Sequence, residues 1–139
     1  MIREIQIEDI PQLIELGREM HAEGAYQQLD YSSAKTEIMF HKCLTLPDHL
    51  CLVAEKGDNI VGGILASLST FWFGYDLIAE ERVLFVTAEE RKGTLGLKLV
   101  RGFEKWALES GAKEILTGTN VGIMTEKVRQ FYEALGYET

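Results

Sequence analysis

LFVTAEERKGTLG, residues 84–96, joins an apolar, strand-like run to an amphipathic helix through a turn with two glycines. Backbone N–H groups at a helix start have no partner within the helix, and the helix dipole makes them attractive to anions. Arg91 and Lys92 add positive charge directly before that helix. The turn therefore either holds a phosphate group or only connects a strand to a helix. Its spacing matches neither the Walker A loop nor the GxGxxG fingerprint.

The composition is that of one ordinary globular domain, residues 1–139. Fourteen basic against 22 acidic residues give a net charge of −8, which disfavours nucleic acid as a partner. The N-terminus carries acidic residues too early for a signal peptide, and no apolar run reaches membrane length. The sequence therefore predicts a soluble, cytoplasmic protein with no membrane partner.

Residues that commonly bind metals are scattered along the chain. Cys43 and Cys51 lack the spacing of zinc ligands, and the three histidines form no cluster in the sequence. We expect no metal site, and we expect both cysteines to be small core residues.

The first part of the chain predicts a short strand and two helices. Ile2, Ile5 and Ile7 suggest a short first strand over residues 2–7. Asp9 is placed to cap a first helix, which has Pro11 in its first turn and an apolar face made of Leu13, Leu16 and Met20. Ser32 or Ser33 can cap a second helix that ends before Pro47.

Residues 49–69 predict a hairpin, because the apolar runs HLCLVAE and IVGGILASLS flank the turn KGDN. Gly62 and Gly63 within the second run indicate a bulge or a close backbone approach. A third strand, LIAEERVLFV, follows at residues 77–86.

The last third of the chain predicts a helix, a strand and a helix. The first helix runs to about Ser110 and stops at Gly111, and its apolar residues at helical spacing are Leu95, Leu99, Phe103 and Trp106. KEILTGTN, residues 113–120, reads as a strand, and Thr125 is placed to cap a final helix. The predicted fold is α+β: a mixed, mostly antiparallel sheet flanked by helices, with a parallel strand–helix–strand unit over residues 77–120.

Two motifs on these elements resemble the GNAT superfamily of acetyl-CoA-dependent N-acetyltransferases. In that family a strand ending in L-x-V leads into R/Q-x-x-G-x-G/A and a long amphipathic helix. This chain has Leu84-Phe85-Val86 and then Arg91-Lys92-Gly93-Thr94-Leu95-Gly96. A later family pattern, F-Y-x-x-L-G-F/Y, matches FYEALGY at residues 131–137. The element order also matches over almost the whole chain.

The chain departs from the family pattern at two places. Thr94 occupies the position of the middle glycine, and Gly93 precedes it by one position. Thr94 keeps its backbone N–H, and its hydroxyl can donate to a phosphate oxygen. Family members usually continue beyond the position of Thr139 into a final strand or hairpin. Three explanations stay open: a truncated protein, a sheet completed in a homodimer, and a wider acceptor site.

The resemblance implies a binding site for acetyl-CoA as co-substrate. Backbone N–H groups from Arg91 to Gly96 would bind the pyrophosphate; the residues concerned are Arg91, Lys92, Gly93, Thr94, Leu95 and Gly96. The strand end at Leu84, Phe85 and Val86 would hold the pantetheine arm, and fixed backbone dipoles there would polarise the thioester carbonyl. Asn120 and Thr125 complete the cofactor-binding candidates.

The resemblance also implies catalytic roles. Tyr132 occupies the position of the family's general acid and would protonate the departing thiolate; the alternative is core packing beside Phe131. Glu80 and Glu81 are candidates for the general base, and strand alternation places only one of them on the substrate side. A solvated strand end is the other interpretation of this pair.

The implied function is transfer of an acetyl group to a primary amine of a small molecule or a protein, by direct attack of the amine. The alternatives are a non-catalytic GNAT-like module that binds CoA or a protein partner, and an α+β interaction domain whose glycine turn serves geometry alone. The acceptor is not named by the sequence. Residues 26–33, YQQLDYSS, lie where the family shapes acceptor specificity, and the aromatic segment 71–75 can wall an acceptor pocket, contact a second copy or cover the core.

Overall fold

The computed structural model describes residues 1–24, 26–117, 130 and 133–138. Short 3₁₀ turns precede two of the helices, at Ile7–Asp9 and Ala88–Glu90. In chain order the strands and longer helices are β1 (Ile2–Glu4), α1 (Ile10–Glu23), α2 (Ser33–Thr45), β2 (His49–Lys56), β3 (Asn59–Thr70), β4 (Leu77–Val86), α3 (Leu95–Glu109) and β5 (Glu114–Leu116).

The five strands form one sheet in the order β1-β2-β3-β4-β5. The first three pairs are antiparallel, whereas β4 and β5 are parallel. Adjacent parallel strands cannot be joined by a tight hairpin, and α3 supplies the crossover between them. The predicted α+β fold with a parallel strand–helix–strand unit is therefore confirmed.

Helices cover both faces of the sheet. On one face α3 buries Leu99, Val100, Phe103 and Ala107 against the sheet. On the other face α1 and α2 pack Leu13 and Phe40 against a second apolar cluster that includes Phe85. We call these the α3 face and the α1/α2 face of the sheet.

Most of the predicted boundaries agree with the structure. Ser32 caps α2, since its Oγ accepts a hydrogen bond from the backbone N–H of Lys35 at 3.1 Å. The apolar face of α1 packs inward as predicted. The hairpin turns at Gly57, whose φ is +63°, and α3 ends before Gly111, whose φ is +86°. Both φ values lie in the region that favours glycine.

The two glycines of β3 lie where β4 approaches closely. A Cβ at Gly63 would lie 2.7 Å from the Phe85 ring, and one at Gly62 would lie 2.9 Å from the Phe85 carbonyl oxygen. The pairing with β2 also shifts register between Ala54 and Glu55. The prediction of a bulge or a close approach is confirmed, and both are present.

The N-terminal strand is shorter than predicted. β1 ends at Glu4, and Ile7 begins a 3₁₀ turn with 58% of its surface exposed. The reason is Asp9, whose carboxylate accepts from the Gln6 backbone N–H at 2.8 Å and pairs with the Arg3 guanidinium at 2.8 Å and 3.0 Å. Asp9 thus stabilises this turn; it occupies the predicted N-cap position of α1, but its side chain makes no capping bond to that helix.

The two cysteines are free thiols; Cys51 is buried and Cys43 is partly buried. Burial raises the pKa of Cys43 to about 11 and raises that of Cys51 further. Both thiols therefore stay protonated at neutral pH and act as small core residues, as predicted.

The Arg3–Asp9 pair should make stability depend on pH. The guanidinium, which also bonds Glu55 at 2.8 Å, holds the pKa of Asp9 below its ordinary value. The stabilisation is then present at neutral pH and is lost as the pH falls through that depressed pKa. We expect Asp9→Asn to lower the free energy of unfolding by about 2 kcal/mol at neutral pH and by much less in acid.

Urea denaturation of both proteins at several pH values measures this difference. Asp58→Asn, at the exposed hairpin turn, is the matched control and should change stability by less than about 0.5 kcal/mol. An Asp9→Asn effect that is equal at neutral and acidic pH would contradict the assignment.

Candidate functional site

The middle of β4 contains an extra residue. Leu65 of β3 pairs with Val83, but the next residue, Ala66, pairs with Glu81, so Arg82 is a β-bulge. A bulge shifts the alternation of side chains along the strand. Val83 consequently faces the α1/α2 layer, where it packs against the apolar cluster of that face.

Glu80 and Glu81 lie on opposite faces of the sheet. Glu81 pairs with Ala66, which belongs to the α3-face core, and Glu81 is only 3% exposed. Glu80 is partly exposed and pairs with Arg82, whose Nη1 lies 3.2 Å from Glu80 Oε1. Arg82 Nε also donates to Ser67 Oγ at 3.0 Å, on the α1/α2 face. The two candidate bases are thus separated by the sheet, as alternation predicted.

The buried Glu81 belongs to an acidic group on the α3 face. The Tyr137 hydroxyl donates to Glu104 Oε2 at 2.8 Å, and Arg101 bonds the other oxygen of Glu104 at 2.7 Å. Burial raises the pKa of Tyr137 well above its ordinary value, and the negative charges of Glu104 and Glu81 add to that effect. Tyr137 is therefore a protonated hydrogen-bond donor across the usual pH range. The sequence assigned no role to Tyr137 or Glu104, because their contact joins two segments that are 33 residues apart.

The C-terminal end of β4 contains the three predicted pantetheine-binding residues. Phe85 is buried on the α1/α2 face, whereas Leu84 and Val86 are partly buried against the α3-face core. Their backbone pairs with β3 on one side. On the other side, within residues 1–117 apart from 25, β5 pairs only with positions 78–80 of β4. In that part of the chain, the far edge of positions 84–86 has no strand partner.

The turn after β4 uses part of its hydrogen-bonding capacity internally. The N–H of Arg91 donates to the Ala88 carbonyl at 3.4 Å, and the N–H of Gly93 donates to the Glu90 carbonyl at 3.1 Å. A Cβ at Gly93 would meet only Glu90 O, at an ordinary 3.6 Å. The turn therefore has room for a side chain at position 93.

The N-terminus of α3 presents free backbone donors. The first helical N–H with a backbone acceptor is that of Lys98, which donates to the Thr94 carbonyl at 3.0 Å. Thr94 is the N-cap, and its side chain makes no capping bond. Among the described residues, the N–H groups of Leu95, Gly96 and Leu97 have no backbone acceptor. Together with the helix dipole they form an end that can bind an anion. Leu97 was not among the predicted residues, although any first helical turn contributes such a donor.

The side chain of Arg91 is directed away from this helix end. Its Nε donates to the Val86 carbonyl at 2.9 Å, and its Nη2 lies 3.2 Å from Glu23 Oε2. Arg91 thus ties the end of β4 to α1, and Glu23 offsets its charge. Lys92 is exposed and has no ion pair with any described residue.

Three predicted site residues, Asn120, Thr125 and Tyr132, lie outside the described residues. The predicted final helix is represented by positions 130, 133 and 134, which are helical. The chain then turns at Gly136, whose φ is +99°, and this turn brings Tyr137 to α3.

The aromatic segment 71–75 is largely exposed next to the described part of the chain. Trp72 is 95% exposed and Tyr75 is 97% exposed. The rings of Phe71 and Phe73 stack on each other at a centroid distance of 5.5 Å.

In the part of the chain that the structure describes, no helix combines the length and the apolar character needed to cross a bilayer. No group of three or more histidine, cysteine, aspartate or glutamate side chains is arranged to bind a metal ion there.

A family model described as acetyltransferase (GNAT) family matches residues 11–137. No curated protein matches the sequence.

Solved structures share the fold over the whole chain. Aminoglycoside N-acetyltransferase AAC(6')-Iy in complex with CoA has a TM-score of 0.83 and 15% identity, and the match covers 100% of this chain and 88% of that one. A transcriptional regulator from Bacillus halodurans C-125 has a TM-score of 0.80 and 21% identity, and the match covers 100% of this chain and 93% of that one. Glucosamine-6-phosphate N-acetyltransferase from Arabidopsis thaliana has a TM-score of 0.78 and 19% identity, and the match covers 100% of this chain and 91% of that one.

Arg91 and Lys92 should differ in their effect on stability. Arg91→Ala removes the bonds to Val86 and Glu23, so we expect the free energy of unfolding to fall by about 1 kcal/mol. Lys92→Ala is the neighbouring control and should change it by less than about 0.5 kcal/mol. Urea denaturation in the absence of ligand measures both. Equal losses in the two variants would contradict the structural role of Arg91.

Proposed function

We propose that this protein, which belongs to the acetyltransferase (GNAT) family, transfers the acetyl group of acetyl-CoA to a primary amine. The observation that carries the proposal is the free helix end: the N–H groups of Leu95, Gly96 and Leu97 lie directly after the strand and turn that match the family motif. Acetyl-CoA is the expected co-substrate, because solved structures with this fold include complexes with CoA.

The helix end has the chemistry that a pyrophosphate needs. Backbone N–H groups and the positive end of the helix dipole stabilise negative charge without titrating. The exposed Lys92 adds a cation beside them. Thr94 has φ −103° and ψ 8°, a conformation that does not require glycine, so the departure from the family pattern costs no backbone strain. The Thr94 hydroxyl is also available as a further donor.

The strand edge beside this helix end can hold the pantetheine arm. An extended chain with amide groups can add to a free strand edge through backbone hydrogen bonds. Within the described residues, no strand pairs with the far edge of positions 84–86, and the fixed backbone dipoles there would polarise the thioester carbonyl. The thioester carbon would then lie close to the bulge at Arg82.

The reaction is an acyl transfer by direct attack. The amine nitrogen forms a bond to the thioester carbon, the carbon–sulfur bond breaks, and CoA leaves as a thiolate that takes a proton. We assign that proton to the hydroxyl of Tyr132, at the position that the family motif gives the general acid. A base or a water chain must take the proton that the amine loses. Glu80 and Glu81 are the candidates for this base. They lie on opposite faces of β4, so only the one on the face where the acceptor binds can take the proton.

Binding of acetyl-CoA tests the first half of the proposal. We expect isothermal titration calorimetry to detect binding to the wild type and at least a tenfold loss, about 1.4 kcal/mol or more, for Gly96→Trp, because the indole blocks the approach of phosphate to the helix end. Gly74→Trp is the matched control, since a Cβ at Gly74 would meet nothing within 4 Å.

Circular dichroism melting of the three proteins separates blocked binding from misfolding. Absence of binding by the folded wild type would overturn the proposal. Binding without release of CoA thiol across a broad amine panel would favour a non-catalytic module instead.

Tyr132→Phe tests the second half of the proposal, in which Tyr132 is the general acid. Removal of a general acid typically costs about 10²-fold or more in turnover, whereas the cofactor contacts of the helix end are unchanged. We expect kcat to fall by about that factor and the affinity for acetyl-CoA to change by less than about twofold. The thiol-release assay and calorimetry measure the two quantities. Equal kcat in the two proteins would remove the role of Tyr132.

A further inference from the structure

A cavity that opens to solvent lies on the α1/α2 face of the sheet, outside the proposed acetyl-CoA site. Its volume is about 250 Å³, and it is lined by α1, α2, the loop between them and strands β3 and β4. Its apolar walls are formed by Leu13, Met20, Phe40, Leu65, Val83 and Phe85.

Three polar side chains around this cavity, those of His21, Tyr31 and Thr36, already have hydrogen-bond partners in the protein. The Tyr31 hydroxyl donates to the Ile14 carbonyl at 2.8 Å. His21 Nε2 lies 2.7 Å from the Leu29 carbonyl oxygen. The Thr36 hydroxyl bonds to backbone carbonyls at the start of α2, at 3.0 Å and 3.2 Å. A ligand in the cavity would therefore meet carbon and few available hydrogen-bonding groups, which disfavours a polyhydroxylated group.

The loop between α1 and α2 fixes one wall of the cavity. Tyr31 reaches across α1 at Gly17, where an added Cβ would lie only 2.6 Å from the Tyr31 hydroxyl oxygen. Arg18 lies over the Tyr31 ring at 5.2 Å, and His21 packs beside it at a centroid distance of 5.5 Å. The loop at residues 26–33 thus contributes the Tyr31 ring as an aromatic wall, and these contacts fix its position.

The cavity adjoins the strand on which the thioester would lie. Val83 follows the bulge residue Arg82 and points into the cavity, while Leu84, the next residue, faces the α3 core. A group bound in the cavity would therefore place an attached amine beside the middle of β4, on the face that also carries Glu80.

The charges next to the cavity disfavour an anionic acceptor. A smaller cavity of about 190 Å³ shares the walls Met20 and Phe85 with it. Its lining contains three carboxylates, Glu19, Glu23 and Glu89, against the single guanidinium of Arg91. This excess of negative charge attracts an ammonium group and repels a phosphate.

We infer that the acceptor is an amine with an apolar body, an alkyl chain or an aromatic ring, which fills the 250 Å³ cavity; the inference rests on the proposed acetyl transfer. Cavities of about 150 Å³ with aliphatic and aromatic walls bind benzene, so this one has room for a phenyl ring or a six-carbon chain. The apolar walls disfavour both an aminoglycoside and a sugar phosphate amine, and the neighbouring carboxylates also repel the phosphate of the latter.

A series of n-alkylamines from propylamine to hexylamine tests the inference by release of CoA thiol. We expect kcat/KM of the wild type to rise about fourfold with each methylene that enters the cavity. Val83→Phe fills the cavity and should reduce the rise in kcat/KM per methylene to less than about twofold. Val83→Thr keeps the volume but adds a hydroxyl to the wall, so it should also weaken the dependence on chain length. Ile38→Phe, at an exposed position of α2, is the control, and its kcat/KM should rise with each methylene as in the wild type.

A binding measurement without chemistry provides a second readout. In protein with ¹³C-labelled methionine methyl groups, hexylamine should shift the NMR signal of Met20 saturably and leave that of the exposed Met1 unchanged. Met20→Leu assigns the signal, and Val83→Phe should abolish the shift.

The outcomes separate the inference from the proposed function. A flat alkylamine series, or a higher kcat/KM for kanamycin or glucosamine 6-phosphate than for hexylamine, overturns the inference and leaves acetyl transfer intact. No thiol release with any amine overturns the proposed function. The acceptor role falls with it, and the NMR measurement then decides what is left of the inference: a saturable Met20 shift that is lost in Val83→Phe supports the cavity as a binding site for apolar amines, and an unchanged Met20 signal overturns that as well.

Discussion

The parallel pairing of β4 with β5 is the constraint on which the rest of the structure depends. Two neighbouring parallel strands need a crossover, and here the crossover is α3, which packs Leu99 and Phe103 against the sheet. That packing holds the first turn of α3 directly after the end of β4. The N–H groups at the helix start and the edge of β4 that no described strand pairs with therefore lie together as a consequence of the fold. Only a short turn, tied to α1 through Arg91, separates them.

The bulge at Arg82 adds a second constraint, because it decides which side chain faces which layer. Without the extra residue, Val83 would follow the alternation of Glu81 and face α3. With it, Glu81 faces the α3 layer and Tyr137, whereas Glu80 and Val83 share the face of the apolar cavity. The buried acidic group and the apolar cavity thus lie on opposite sides of one strand. The proposed chemistry would take place beside the middle of β4, on the face that carries Glu80 and Val83.

What the sequence predicted correctly is local. The periodicity of α3, the serine cap of α2 and the glycine turn of the hairpin each depend on residues within a few positions of one another. What it missed joins distant segments. Asp9 was expected to cap α1 with its side chain, but its carboxylate pairs with Arg3, which also pairs with Glu55 of β2. The partner of Arg91 is 68 residues away, and the contact of Tyr137 with Glu104 spans 33 residues. The position of the bulge depends on pairing with β3, which no local pattern in β4 encodes.

The central claim is that the first turn of α3 binds the pyrophosphate of CoA through its backbone. Amide hydrogen exchange measured by NMR, with and without saturating CoA, tests that claim directly. The account predicts that exchange slows at positions 94–97, because their N–H groups gain phosphate acceptors, while the first turn of α2 at positions 34–36 is unchanged. Unchanged exchange at positions 94–97, with protection appearing elsewhere in the protein, would contradict it.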